Sequence, residues 1–199
     1  MLPEWPVAAL DACVLIPPGL RDLLLSCAHE SVFRPVWQDE ILDEVRRNSV
    51  TQLIERSELS KDAAVAAVGQ TMAQMHRAFP DACVPGEFWI PLVPDLTCHQ
   101  KDRHVLAVAV GVEATHLVTD NTRDFPVASR PAGLAVLKPD RFMLERMAAV
   151  PDLVLEAVEG MSNRMRNPRK TPAELAAYMA KGQHLRRFGV QLGEMLAGS

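Results

Sequence analysis

Short apolar runs alternate with amphipathic segments along the first two thirds of the chain. Residues 8–10 form an apolar run that is too short for a helix and predicts a buried strand ending at Asp11. Trp37, Ile41 and Val45 repeat at helical spacing and predict one face of a helix. The complete set is strands over 8–10, 31–36, 88–93, 115–119 and 134–137, and helices over 20–27, 38–47, 59–79 and 102–112, with Ser60 a possible N-cap near the start of the third helix. Because strands alternate with helices, the sequence predicts an α/β fold with a mostly parallel sheet.

The last part of the chain shows only helical patterns. The predicted helices are 141–149, 151–165 and 172–196. The segment 167–172 is the clearest linker, with Thr171 as the expected N-cap and Pro172 as the first residue of the next helix. We therefore expect a first domain over residues 1–140 and a helical C-terminal extension over residues 141–199.

Composition and charge narrow the classes of protein that remain. An apolar fraction of 48% supports a real hydrophobic core, and a net charge of −4 does not fit a basic nucleic-acid coat. Residues 161–199 contain seven basic and two acidic residues, a charge of +5, which leaves −9 on the first 160 residues. This basic tail could contact RNA or an acidic partner, or it could simply be a solvated face.

The cysteines and the N-terminus indicate a cytoplasmic protein. The four cysteines form no C-x-x-C pair and are expected to be small buried hydrophobic residues. No basic segment and no long apolar run stand near the N-terminus, so we expect neither a signal peptide nor a membrane span.

Acidic residues follow or flank the predicted strands. Asp11 comes directly after the first strand, Asp120 and Asp124 follow a later one, and Asp102 and Glu44 lie on helices. In parallel α/β sheets, ligands bind beyond the carboxyl ends of the strands. Carboxylates gathered in a cleft need a cation, and oxygen ligands suit Mg²⁺ or Mn²⁺. Such a site can hydrolyse a phosphodiester bond.

Each acid also has an ordinary structural explanation. Asp11 and Asp102 stand where a helix N-cap is expected. Glu44 belongs to an acidic run that could be a solvated helix face, and Glu40 lies one turn away on the same side. Asp120 and its neighbour could form a plain turn.

Two segments carry a resemblance to a known family. Residues 102–109 read DRHVLAVA and residues 117–126 read LVTDNTRDFP. With LDACVL at 10–15 and ILDEV at 41–45, they resemble the PIN-domain proteins of the VapC toxin type over residues 5–140. The extension is similar to that of one VapC subgroup.

The resemblance implies a fold, an activity and partners. The fold is a PIN-like three-layer sandwich, with a central mostly parallel sheet, helices on both faces and a helical C-terminal extension. The activity is that of a metal-dependent endoribonuclease toxin of a type II toxin–antitoxin system, working with Mg²⁺ or Mn²⁺. The implied partners are an RNA substrate, a cognate antitoxin whose C-terminal segment enters the active-site groove, and a second copy in a homodimer.

The resemblance also assigns the acids. It makes Asp11 the first metal ligand and Asp102 the third acid, beside or on the metal. Glu44 is the second acid, with Glu40 as the fallback. The fourth acid stays open between Asp120 and Asp124.

The substrate contacts follow the same resemblance. Asn121 stands where the family often has an acid or an amide, two residues after a threonine. Thr119 is expected to orient water or a ligand. By position, Arg103 and Arg123 are the best candidates for contact with RNA, whereas His104 is more readily structural.

Other functions remain open at this point. A phosphatase of the haloacid-dehalogenase type needs an Asp two residues after the first, where this chain has Cys13. A non-catalytic PIN-fold regulator that binds RNA or protein would keep the fold without the chemistry. Two-metal chemistry does not by itself choose RNA over DNA.

Overall fold

A computed structural model describes residues 5–166 and 168–198 of the chain. Its centre is a parallel sheet with the strand order β2-β1-β3-β4. The strands are β1 (Val7–Leu10), β2 (Arg34–Val36), β3 (His116–Val118) and β4 (Ala135–Leu137). In the register of the sheet, Ala9 lies between Val36 and Leu117, and all three are buried. This confirms the predicted α/β fold with a parallel sheet and a PIN-like arrangement.

Within residues 5–111, five α-helices accompany the sheet. They are α1 (Ala12–Leu15), α2 (Pro18–His29), α3 (Asp39–Arg56), α4 (Lys61–Ala78) and α5 (Arg103–Gly111). The Gln38 side chain caps α3 by accepting the backbone N–H groups of Glu40 and Ile41. Ser60 caps α4 by accepting the N–H of Ala63 at 3.3 Å, as its position predicted.

The strand predicted over residues 88–93 is wrong. The chain there forms two 3-10 helices, Gly86–Phe88 and Ile90–Asp95. Pro91 and Pro94 lack the N–H that a strand would donate, and their fixed φ suits a tight helical turn. The apolar residues of this segment pack on α5, where Gly111 lies so close that an added Cβ would stand 2.2 Å from the carbonyl oxygen of Phe88.

The C-terminal part is helical, but the single helix predicted over residues 172–196 is wrong. The helices are α6 (Pro139–Ala149), α7 (Pro151–Arg164), α8 (Pro172–Lys181) and α9 (Arg186–Gly198). Gly182 leaves the helical conformation with ψ 163°, and the chain turns back on itself. Gly189 then allows α9 to approach α8, since a Cβ there would lie 2.4 Å from the backbone nitrogen of Ala180. We call α8, the turn at residues 182–185 and α9 the C-terminal hairpin.

The start of α8 follows the sequence prediction. Thr171 is the N-cap, and its hydroxyl accepts the N–H of Glu174 while the Glu174 carboxylate accepts the N–H of Thr171 at 2.7 Å. This reciprocal capping box fixes where the helix begins.

The extension shares one hydrophobic core with the sheet domain. The ring of Phe142 meets that of Phe33 edge to face at 5.0 Å. The Arg164 side chain donates to the hydroxyl of Ser26 at 2.7 Å, where α7 packs on α2. The division at residue 140 stays a prediction.

The remaining expectations about apolar residues are met only in part. Cys27 and Cys98 are buried, whereas Cys13 and Cys83 are partly buried, and all four are free thiols. Of the tryptophans, Trp37 and Trp89 are buried, whereas Trp5 is 56% exposed. Within residues 5–166 and 168–198, no helix combines the length and apolar character needed to cross a membrane.

Candidate functional site

Asp11 lies at the carboxyl end of the central strand β1. Its backbone N–H donates to the carbonyl of Val118 at 3.1 Å, so β3 holds its main chain. Its Oδ2 accepts the hydroxyl of Thr119 at 2.6 Å and the thiol of Cys13 at 3.2 Å. Its Oδ1 accepts no hydrogen bond from any residue that the structure describes. The side chain does not cap α1, so the capping explanation fails for Asp11.

A hydrogen-bond network ties Asp11 to the loop that follows β3. The hydroxyl of Thr119 accepts the N–H of Asn121 at 3.0 Å, and the Cys13 sulfur accepts the N–H of Asp120 at 3.3 Å. Burial, and then the charge of Asp11, raises the pKa of the Cys13 thiol to about 12. The thiol therefore stays protonated at neutral pH and acts as a donor to the carboxylate.

Asp102 precedes α5 and is held in an unfavourable environment. It caps no N–H group of the helix, so the capping explanation fails here too. Its Oδ2 is buried and lacks a hydrogen-bond partner among the described residues, although His99 Nδ1 lies 3.4 Å away. Burial raises the pKa of Asp102, and the carboxylates of Asp124 and Asp11 raise it further against the opposing charges of Lys101 and His99.

The charge interactions of Asp102 and a backbone contact indicate that three acids lie near one another. Asp124 ends the 3-10 helix Thr122–Asp124, and its backbone N–H donates to the carbonyl of Asn121 at 3.0 Å. Its own carbonyl accepts the N–H of His99 at 3.4 Å, which joins this loop to the segment before Asp102. Asp11, Asp102 and Asp124 therefore form a group that we call the acidic edge.

Asp120 points elsewhere. Its Oδ2 lies 2.7 Å from Nδ1 of His184, and both side chains are about one quarter exposed. His184 lies in the turn of the C-terminal hairpin. The two candidates for the fourth acid thus differ in their neighbours, and only Asp124 influences the charge of Asp102.

The acids of α3 are less closely associated with this group. Glu44 is half-buried, and among the described residues no contact joins its carboxylate to Asp11 or Asp102. Glu40 lines a surface cleft of about 600 Å³ together with His99 and His104. Since His99 also contacts Asp102, Glu40 is connected to the acidic edge through one residue.

Of the side chains expected to contact substrate, some are accessible to solvent and others already form hydrogen bonds within the protein. Arg123 and Asn121 are exposed beside the acidic edge. Arg103 is half-buried, and its Nε donates to the carbonyl of Cys98 at 3.5 Å. Thr119 is fully buried, so its hydroxyl orients Asp11 and does not face solvent.

The donor chemistry suits a hard divalent cation. Across residues 5–166 and 168–198, no group of three or more His, Cys, Asp or Glu side chains is placed to hold a metal ion together. Mg²⁺ does not need one, because it keeps several waters and binds through one or two carboxylates. The free Oδ1 of Asp11 and the unpartnered Oδ2 of Asp102 are oxygen donors with uncompensated charge, and the residues therefore fit Mg²⁺ or Mn²⁺.

A groove of about 830 Å³ runs between the sheet domain and the extension. Cys13 and Asp120 line it on one side, and Lys170, Tyr178 and His184 line it on the other. Sequence reasoning missed His184 because the predicted continuous helix placed it mid-helix. The glycine at 182 was the available signal for a turn.

Comparison with known proteins supports the same class. The family model described as the VapC50 C-terminal domain matches residues 139–194. The chain is 33% identical over 101 residues to a Mycobacterium tuberculosis protein named "Putative ribonuclease VapC50". That match covers 50% of this chain, and the chain spans 59% of the length of this relative. No solved structure matches the chain.

The fold is α/β with a central parallel sheet and is consistent with a PIN-like arrangement. Two similarities point to VapC-type proteins within this fold class. One is the family model that matches the helical extension, and the other is the relative named as a VapC protein. The resemblance to VapC-type PIN-domain proteins with a C-terminal extension is thereby confirmed.

Proposed function

We propose that the chain is a metal-dependent endoribonuclease and the toxin of a type II toxin–antitoxin pair. The observation that carries the proposal is the acidic edge, in which Asp11, Asp102 and Asp124 come together from distant parts of the sequence. The carboxylates of Asp124 and Asp11 both raise the pKa of Asp102, and the charges of Lys101 and His99 oppose them. The relative named as a ribonuclease supports the choice of reaction.

The metal would be Mg²⁺ or Mn²⁺, held by Asp11 and Asp102. When bound, it would neutralise the carboxylates, activate water and stabilise the charge that develops on the phosphodiester. Thr119 and Cys13 both bond to Oδ2 of Asp11, which fixes the carboxylate and leaves Oδ1 free to bind. Asp102 is held ready to bind because its buried Oδ2 has no competing hydrogen bond among the described residues.

Asp124 is our choice for the fourth acid. Its carboxylate acts on Asp102, whereas the carboxylate of Asp120 is engaged by His184. For the acid contributed by α3, Glu40 has the shorter path to the acidic edge, through His99, and Glu44 remains the alternative from the resemblance.

The partners belong to the same proposal. Arg123 and Asn121 are exposed beside Asp124 and are suited to contact RNA phosphate or sugar groups, which position a strand without reading its sequence. An antitoxin that silences the enzyme and a homodimeric state follow from the resemblance to VapC-type proteins.

The test is cleavage of a labelled pool of single-stranded RNA by the purified protein, with Mn²⁺ or Mg²⁺ and with excess chelator. We expect cleavage only with metal and a loss of about 10²–10³-fold in D11N and in D102N, the range for removing a charge-stabilising group. D81N, an exposed loop acid, is the matched control and should retain full activity.

Two further arms separate the rival functions. DNA of the same sequences should remain uncut, and acid-quenched samples should contain no phosphoryl group on Asp11. Full cleavage in excess chelator would contradict the metal-dependent mechanism. A protein that binds the RNA tightly but never cuts it, with either metal, would be a regulator.

A further inference from the structure

His184 is the residue through which the extension reaches the acidic edge. Its Nδ1 lies 2.7 Å from Oδ2 of Asp120, on the wall of the groove between the sheet domain and the extension. Asp120 follows Thr119, whose hydroxyl bonds to Asp11. The two ends of this path are 173 positions apart in the sequence, so a contact here joins the last part of the chain to the first strand.

The C-terminal hairpin holds His184 in place. The next residue, Leu185, is buried, and Gly189 seats α9 directly against α8. The N–H of Phe188 donates to the carboxylate of Asp140 at the start of α6, with a distance of 2.9 Å. The turn is therefore anchored on both sides, and the position of the imidazole is set by packing.

The hydrogen bonds around the ring define one arrangement. The side-chain amide of Gln183 lies 3.0 Å from Nε2 of His184, which accepts its N–H when the ring is neutral. Nδ1 then carries the proton and donates it to Asp120. Gln183, His184 and Asp120 thus form a directed chain that ends at the loop after β3.

Asp120 transmits this restraint to the site. Its backbone N–H donates to the Cys13 sulfur at 3.3 Å, and the thiol of Cys13 donates to Asp11. The next residue, Asn121, donates its N–H to Thr119 and accepts the N–H of Asp124. A shift of Asp120 would therefore disturb two of the three acids of the acidic edge.

We propose that His184 is a positioning residue of the nuclease site, which acts by holding Asp120 and with it the loop that carries Thr119 and Asp124. The C-terminal extension then contributes a residue that positions the nuclease site. This inference rests on the proposed nuclease function, and it goes beyond it by assigning a role to a residue outside the sheet domain.

The kinetic test compares single and double variants under the metal conditions that support cleavage. H184A and D120A should each lower kcat by about 10-fold while KM changes by less than about 2-fold, since misplaced reacting groups cost rate rather than binding. The double variant should be no worse than either single variant, because both remove the same contact. H184N retains an N–H donor and should recover most of the rate.

The control is H76A, which removes an exposed histidine on α4 and should leave kcat unchanged. Equal kcat in H184A and wild type would overturn the inference, and so would additive losses in the double variant. If H184A proves unfolded by circular dichroism, H184L and its double variant with D120A decide in its place, with the same two criteria.

A second readout does not depend on activity. Nitrogen NMR of the His184 imidazole should show a protonated, hydrogen-bonded Nδ1 in the wild type, and D120A should abolish that signature. A missing signature in the wild type overturns the inference. A wild type that cuts no RNA, yet shows the signature, sinks the proposed function and with it the positioning role.

Discussion

The acidic edge and the C-terminal hairpin are built on opposite principles. At the acidic edge, a buried carboxylate oxygen of Asp102 lacks a hydrogen bond from the described residues and neighbouring acids raise its pKa. In the hairpin, the capping box at Thr171 pairs its polar groups and Gly189 permits close contact of two helices. The comparison teaches that this protein places electrostatic strain where a ligand is expected and packs tightly where position must be kept.

The largest expected effect breaks the hairpin. In G189A the new Cβ would stand 2.4 Å from the nitrogen of Ala180 and 2.8 Å from the carbonyl oxygen of Ala176. Both contacts are with backbone, so α8 and α9 must separate, and the free energy of unfolding should fall by about 3 kcal/mol. Urea denaturation followed by circular dichroism measures the change.

The same helix offers a matched control for that variant. A Cβ at Gly193 would meet only the Cβ of Ala176, at 3.9 Å, which is ordinary contact. G193A should be neutral, or stabilising by up to about 1 kcal/mol through helix propensity. Equal losses in the two variants would show that close approach at Gly189 is not what holds the hairpin.

The next effect sharpens the difference between the two loop acids. D124N should lower Mn²⁺ affinity by about 10-fold, because Asp124 contributes charge at the acidic edge. D120N should lower it by less than about 3-fold, since its carboxylate is engaged by His184. Isothermal titration of metal-free protein gives both affinities, and the reverse order would assign the fourth acid to Asp120.

A smaller effect concerns the capping box. T171A removes the side-chain oxygen that accepts the N–H of Glu174, and it should cost about 1 kcal/mol of stability. T51A is the control, because Thr51 lies within α3 and its exposed hydroxyl bonds only to the carbonyl of Arg47. Thermal unfolding compares the two, and an equal cost for T51A would count against a specific capping contribution.

The smallest effect measures the strain at the acidic edge. In excess chelator at pH 7, D102N should raise the free energy of unfolding by about 0.5 kcal/mol, a modest figure because Asp102 keeps some solvent contact. Folding raises the pKa of Asp102. The stability that Asp102 contributes is therefore fully present at acid pH, and it is lost as the pH rises through the pKa of this residue in the folded state.

The gain from D102N should therefore disappear below about pH 4, where the wild-type carboxyl is protonated in both states. D95N, which changes an exposed acid at the end of the 3-10 helix Ile90–Asp95, should show no gain at any pH. Chemical denaturation at several pH values tests this prediction. A D102N protein that is less stable than wild type at pH 7 would contradict the inference that the Asp102 carboxylate is strained.

Local patterns predicted much of the fold because they coincide with physical rules that act over a few residues. The strand before Asp11 and the N-caps at Ser60 and Thr171 are examples. The false strand at 88–93 arose because apolar content outweighed the prolines within it. Gly182 was a local signal for the break at residues 182–185, but the close packing of α9 on α8 at Gly189 is a tertiary contact that no local pattern contains.

The candidate site was predictable in its location but not in its orientation. Parallel strands bring the ends of β1 and β3 to one edge, so Asp11 and the loop after Thr119 were expected there. Which loop acid faces Asp102 is decided by His99 and His184, whose positions come from tertiary structure. The roles of Asp11, Glu44 and Asp102 in catalysis remain predictions.

The central place of β1 in the sheet has a consequence for biosynthesis. This strand emerges from the ribosome first, but its partner β3 is more than one hundred residues later. Contacts of such long range form late in folding, because a long loop must close before they repay its entropy. A nascent or prematurely ended chain that lacks β3 would thus possess Asp11 without Thr119 or Asp124 beside it, and the acidic edge could form only after residue 124 has been added.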